Sequence, residues 1–234
     1  MNKLSPRETF DRQLDHLRDQ LLMLGSMVEQ NTLSAVDALK QRDIAMAQSA
    51  YAYDQKINEK RFEIESTCIA LIAMQQPIAR DLRILASTLD IASELERMGD
   101  YAKGIARICL LMKDQLPTKP IIDLPLMAEL TTNMLRRALG AFVSVNVSQA
   151  MQIPKEDNRV DDLYNQINRV LLSYMISDPS TIDRANYLTW AAHNLERMAD
   201  RVTNICERTI YVATGEMKEL DASDDEQNGL YEHP

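Results

Sequence analysis

Phe10, Leu14, Leu17, Leu21, Leu24 and Val28 recur at alternating steps of four and three residues, which is the seam of a helix packed in a bundle. The helical period continues along most of the chain. It predicts a second helix over about 43–75, a third over 78–113, a fourth over 126–147, a fifth over 154–176 and a sixth over 180–214. Prolines set these limits, because proline lacks an amide donor and starts or ends helices. Pro6 precedes the first pattern, Pro77 splits the second from the third, and Pro117, Pro120 and Pro125 crowd a linker at about 113–123. Pro154 and Pro179 divide the second half. Gly25 falls inside the first seam, where it permits close packing or a mild bend. In the fourth helix Leu130, Met134, Ala138 and Ala141 share one side, and Ser144-Val145-Asn146-Val147 weaken its end.

The third helix carries two apolar stripes. Ile78, Leu82, Leu85, Leu89 and Ala92 form one, which runs on into Glu96, Gly99, Asp100 and Lys103. Ile91, Leu95, Met98, Ala102 and Ile105 form the alternative core face. The acidic end of the first stripe belongs to a phrase that the chain repeats. Leu95-Glu96-Arg97-Met98-Gly99-Asp100 returns 100 positions later as Leu195-Glu196-Arg197-Met198-Ala199-Asp200, with five of six residues identical. Three helices, a linker and three helices with one phrase in each half is an internal duplication. The expected fold is all-α, two tandem antiparallel three-helix bundles spanning 6–113 and 123–215. An acidic tail over 216–234, holding Asp221, Asp224, Asp225 and Glu226 without periodicity, is expected to be disordered.

Within each phrase a Glu and an Asp stand four apart, so both carboxylates leave one helical face and repel. A second polar pair at the same spacing lies on the preceding helix: Asp54 and Asn58 in the first half, Asp157 and Asp161 in the second. Counted from a turn at Gln76, Asp54 and Asn58 lie 22 and 18 residues before it, and Glu96 and Asp100 lie 20 and 24 after it. In an antiparallel hairpin these groups stand at nearly one height. About Pro179, Asp157 and Asp161 lie 22 and 18 before, with Glu196 and Asp200 17 and 21 after. Two remote pairs become one cluster, twice.

Two readings fit such a cluster. In one the carboxylates are solvated, or pair with Arg61, Arg97 or Lys103. In the other they converge on a cation, since close carboxylates ionise together only when something neutralises them. An all-oxygen shell suits Mg, Mn, Ca or Fe ions and disfavours Zn. His193 and Glu196 form an i, i+3 pair resembling the Glu-x-x-His of di-iron bundles in reverse, but the matching residue in the first half is Ser93. His16 has no counterpart and is read as a surface residue; Trp190 and the thirteen methionines are read as core. No Gly-rich phosphate loop, nucleophile elbow or plausible Ser/His/Asp arrangement is present, so catalysis has little to stand on, and neither an enzyme nor an organic cofactor is expected.

Composition narrows the class further. Six Gly and eight Pro in 234 residues suit long helices. A net charge of −9 argues against nucleic acid, which needs clustered Lys and Arg. No apolar run approaches the ~20 residues of a membrane span, and Met1-Asn2-Lys3-Leu4-Ser5-Pro6 lacks a signal-peptide apolar region. Cys68, Cys109 and Cys206 lie in apolar helical surroundings without CxxC spacing, so buried thiols are expected rather than disulfides. The expected location is cytoplasmic.

At these residues the chain resembles the PhoU family of phosphate-uptake regulators. That family carries a Glu/Asp-x-x-x-Asp phrase once per three-helix repeat, and Glu96 to Asp100 and Glu196 to Asp200 match it. Gln75-Gln76-Pro77 with Asp81-Leu82-Arg83, Asp178-Pro179, and the opening Leu17-Arg18 to Gly25 with Val28-Glu29 extend the match over about 8–215. The resemblance implies a dimer with multinuclear metal sites on the acidic faces in some members. It implies a non-catalytic adaptor between the ATPase subunit of the phosphate ABC transporter and the phosphate sensor histidine kinase, meeting the membrane only through these partners. Such adaptors hold down the phosphate-starvation response and phosphate uptake when phosphate is plentiful. Matching metal positions are Asp54, Glu96, Asp100, Asp157, Asp161, Glu196 and Asp200, with Asn58 standing where the second half has Asp161. Ala199 replaces the usual Gly, which moves a neighbouring helix or a bridging oxygen away. The second cluster, with its extra carboxylate, is expected to bind metal more tightly. The alternative is a metal-binding bundle with ferritin-like redox or storage activity.

Overall fold

The chain's computed structural model describes residues 5–113 and 123–220, and every regular element in it is helical. The first half holds α1 (Pro6–Gln41), α2 (Ile44–Gln75) and α3 (Ala79–Met112). The second holds α4 (Leu124–Ser144), a single turn α5 (Val147–Ala150), a 3-10 turn over Ile153–Glu156, α6 (Asp157–Ser177), a second 3-10 turn over Pro179–Thr181, and α7 (Ile182–Thr214). Residues 114–122 of the expected linker, with Pro117 and Pro120, and 221–234 of the expected tail lie outside the described residues.

Local chemistry explains the helix limits. Ser5 and Glu8 form a reciprocal capping box at the start of α1, the Ser5 amide donating to Glu8 Oε2 at 2.7 Å. The chain leaves α1 through Arg42 in the left-handed region, and Asp43 at once caps α2 by accepting the Met46 amide at 2.9 Å. The second half repeats this with left-handed Val145 and an Asn146 cap. From that point the halves diverge. Arg42-Asp43 and Val145-Asn146 are offset by 103, as are Asp54 and Asp157. In that register α5, the 3-10 turn and α6 together replace the unbroken α2, and Pro154 falls where α2 has Tyr51. Proline has no amide to donate and its ring crowds the carbonyl four residues back, so the helix breaks there. The fourth helix therefore ends at Ser144 instead of about Val147, and α6 begins at Asp157 instead of Pro154. Pro125, expected in the linker, sits in the first turn of α4, where a missing amide costs nothing.

The α1 seam from Phe10 to Val28 is buried throughout, and Gly25 serves close packing: a Cβ there would lie 2.1 Å from Leu139 Cδ1 of α4. On α3 the stripe Ile91, Leu95, Met98, Ala102 and Ile105 is the core face, all five fully buried. The rival stripe begins in solvent, with Ile78 and Leu82 exposed. Two expectations fail. Trp190 is 58% exposed, stacking edge-on against Tyr187. Met23, Met74, Met151 and Met217 are exposed too, while Met98, Met112, Met127, Met134 and Met198 are core. The reason is common to both: helical period places a residue on a face but does not say whether a neighbour covers it. Cys68, Cys109 and Cys206 are buried free thiols, and burial pushes Cys68 and Cys206 up to about 12.

The two three-helix units share one continuous core, with α1 on α4 and α3 on α7. α3 and α7 run antiparallel. Arg208 Nε meets Asp90 at 3.3 Å, Arg201 meets Glu94 at 3.6 Å, Arg197 bonds Tyr101, and Asn194 lies against Gly104. The two phrases thus approach each other at the centre of the molecule, while their acidic sides turn toward α2 and α6.

Candidate functional site

The antiparallel turn at Gln76 brings the α2 pair onto the α3 phrase. Asp54 is 3% exposed and is the most deeply buried carboxylate of the set. Its Oδ2 accepts from Lys103 Nζ at 2.7 Å and from Asn58 Nδ2 at 3.2 Å. Its Oδ1 is buried with no hydrogen-bond partner among the described residues. Asn58 therefore serves Asp54 as a donor. Lys103 also lies 3.9 Å from Asp100 and 5.5 Å above the Tyr51 ring, a cation–π distance. Burial, then the Asp100 charge, pushes the Glu96 carboxyl upward; Arg61 opposes this and Asp54 adds to it. Asp100 is raised by burial and by Asp54, with Lys103 opposing.

The second half places Glu196 under the charges of Asp200 and Asp161. Its carboxyl is raised by burial first and by Asp200 next, while His193 pulls it down. His193 Nδ1 stands 3.1 Å from Glu196 Oε2, and its half-exposed ring leans on Tyr164 at 6.0 Å. Arg197 stands 3.6 Å from Asp200. Asp157 is buried at the start of α6, one turn before Asp161. The structure thus joins Asp54, Asn58, Glu96 and Asp100 in one cluster and Asp161, Glu196 and Asp200 in another, with Asp157 beside it on α6.

Of the three counter-ions that the sequence offers, Lys103 takes Asp54, Arg97 goes to Glu94 at 3.3 Å, and Arg61 pairs with Glu65. Tyr51 and Tyr164 were invisible as site residues, since an aromatic on a polar helix face carries no sequence signal. Lys103 did leave one: it follows Asp100 by three positions and Glu96 by seven, on the same face.

The two clusters differ in charge. At matched positions the first has Tyr51, Asn58, Arg61 and Lys103 where the second has Pro154, Asp161, Tyr164 and Thr203. The first is answered by an ammonium within contact and a guanidinium nearby; the second has one carboxylate more, and neither cation recurs. Among the described residues, no three His, Cys, Asp or Glu side chains are gathered closely enough to hold a metal ion. The carboxylate oxygens of the second cluster are of the kind a hard cation takes, and they too have side-chain partners, Arg197 at Asp200 and His193 at Glu196. In the first, Lys103 supplies the positive charge at Asp54.

The PhoU domain family model matches the chain twice, over residues 21–109 and 124–209. A phosphate-specific transport system accessory protein PhoU homolog of Clostridium acetobutylicum is 36% identical over 93% of this chain and 99% of its own length. The phosphate-specific transport system accessory protein PhoU of Edwardsiella tarda is 33% identical over 96% of this chain and 92% of its own. The crystal structure of the phosphate transport system regulatory protein PhoU from Streptococcus pneumoniae superposes with a TM-score of 0.82 at 33% identity, covering 89% of this chain and 99% of that one. PhoU from Pseudomonas aeruginosa superposes with a TM-score of 0.83 at 32% identity, over 88% and 100%.

Proposed function

Because the chain belongs to the PhoU family, we infer that it is a non-catalytic regulator of phosphate homeostasis that couples the ATPase subunit of the phosphate ABC transporter to the phosphate sensor histidine kinase. It represses phosphate uptake and the starvation response when phosphate is plentiful. The observation that carries this reading is the family match in both halves, on the helices that hold the doubled phrase. The acidic clusters support it as the working surface. They are placed on matched faces by two independent hairpins, which a drifting surface charge does not require. A cytoplasmic homodimer is the assembly this role suits, and no described helix is long and apolar enough to cross a membrane.

Asp157, Asp161, Glu196 and Asp200 would hold a hard cation such as Fe, Mn, Mg or Ca. A bound cation would neutralise the raised Glu196 carboxyl and offer charge to phosphate oxygens or to an acidic partner. The His193–Glu196 contact gives the ferritin-like alternative one half of a di-iron motif, and the first half has Ser93 in its place. Deletion of the gene in its native host tests the regulatory role. A starvation-responsive promoter is expected to fire in high phosphate without this protein; continued silence would overturn the reading.

A further inference from the structure

We propose that a cleft between α1 and α2 is a binding site for a small polyol, held by hydrogen bonds to Asn31 at its floor. The cleft has a volume of about 170 Å³. Gln30, Asn31 and Ser34 line it from α1, and Met46, Ser49, Ala50 and Tyr53 line it from α2. Asn31 is 3% exposed, and its Nδ2 is buried without a hydrogen-bond partner among the described residues. A buried donor left unmet is destabilising, so the floor of the cleft is matched by a ligand atom that accepts. The second half has the same place packed shut. In the register of 103 that relates Arg42 to Val145, Met134 stands at the position of Asn31, Arg137 at that of Ser34, Ile153 at that of Ala50 and Glu156 at that of Tyr53. Met134 and Ile153 are buried, and Arg137 donates to both carboxylate oxygens of Glu156, at 2.8 and 2.7 Å. A methionine, an isoleucine and an ion pair thus fill the place where the first half keeps an amide, an alanine and two hydroxyls. The first half retains an opening and an unmet amide that this fold can do without.

The lining sets the class of ligand. None of the lining side chains is charged, and the charged groups beside them are engaged: Glu29 with Arg136, Asp43 with the Met46 amide, and Lys56 over the Tyr53 ring at 5.3 Å. A charged ligand would lose hydration here without gaining a counter-charge. The hydroxyls of Ser34, Ser49 and Tyr53 and the amides of Gln30 and Asn31 each both donate and accept. A row of ligand hydroxyls answers such a set, while Met46 and Ala50 give its carbon chain an apolar wall. A cavity of about 150 Å³ holds benzene, so the ligand has about six to eight non-hydrogen atoms, the size of glycerol or erythritol. A nucleotide is too large.

Erythritol titrated against the full-length chain, isotopically labelled in its methionine methyls and read by NMR at Met46, tests this. A saturable shift of the Met46 methyl is expected, with a midpoint in about the millimolar range for so small a ligand. Inorganic phosphate, an anion, and n-butanol, with the same four-carbon chain and one hydroxyl, are expected to give no saturable shift. Ala50→Ile, the second half's own residue, fills the cleft, and Asn31→Leu removes the amide at similar volume. Each is expected to weaken erythritol binding at least about tenfold. Should either fail to fold, as judged by helical circular dichroism, the other carries the same expectation, and Ser34→Ala, on the rim, is expected to weaken binding in the same direction. The proposal is overturned if Met46 does not respond to erythritol, which leaves the cleft to water. It is equally overturned if phosphate or n-butanol shifts Met46 saturably. Undiminished erythritol binding by a folded Ala50→Ile or Asn31→Leu chain would place the polyol elsewhere and overturn it too.

Discussion

Gly99 packs against Ile57, and a Cβ at Gly99 would come within 3.0 Å of Ile57 Cγ2. At the matched positions the second half has Ala199 and Val160, so the methyl added on one helix is removed from the other. All three side chains, Ile57, Val160 and Ala199, are fully buried, where a single methyl is felt. The extra methyl of Ala199 therefore has its compensation in Val160. Gly99→Ala alone sets about 1 kcal/mol of helix propensity against about 1–3 kcal/mol of overlap. Ile57→Val alone loses about 0.5–1.5 kcal/mol. The pair is expected to be more stable than either single variant in urea unfolding, with favourable coupling near 1 kcal/mol; strict additivity would show that the two sites do not share the volume. The eight candidate ligands were legible as residues because carboxylates four apart on a helix are a visible pattern. What those carboxylates pair with was not legible, since the choice among Arg61, Arg97 and Lys103 depends on rotamers and on α2, which the local sequence of α3 does not contain.

Helix boundaries divide the same way. Those set by chemistry on the spot, such as the Ser5–Glu8 box or the Pro77 break, can be read from the sequence. The split of α5 from α6 could be read only as a proline signal, because its meaning appears in comparison with the unbroken α2. At the start of α1 the Ser5 backbone amide, and then its side chain, hold the Glu8 carboxyl below its ordinary value of 4.5. A depressed carboxylate stabilises the helix start fully above its unfolded pKa, and that contribution is lost as pH falls through the folded value. NMR titration of Glu8 is therefore expected to give a midpoint below 4.5, with the first turn fraying over the same range. Ser5→Ala leaves the backbone amide in place and removes the hydroxyl, so it should move the midpoint part of the way up; a titration unchanged by that substitution would show that the hydroxyl does not contribute.

At the scale of the whole molecule, the duplication is folded back so that α3 and α7 cross antiparallel and the cores merge. Period and punctuation predicted two bundles, but nothing in either half's sequence announces that Gly25 and Gly104 admit side chains from the other half. A shared core should unfold as one unit, so calorimetry is expected to show a single transition with equal calorimetric and van't Hoff enthalpies. Two resolved transitions would mean that the halves are independent. Under the proposed function the acidic faces, and the second above all, would carry the regulatory role. Its most direct test is a starvation-responsive reporter, read in high phosphate in a deletion strain complemented with Asp161→Asn/Glu196→Gln/Asp200→Asn. A well-expressed, helical protein that leaves the reporter on is expected, whereas the unaltered chain turns it off. Full repression by that variant would show that the second acidic face does not carry the regulatory role.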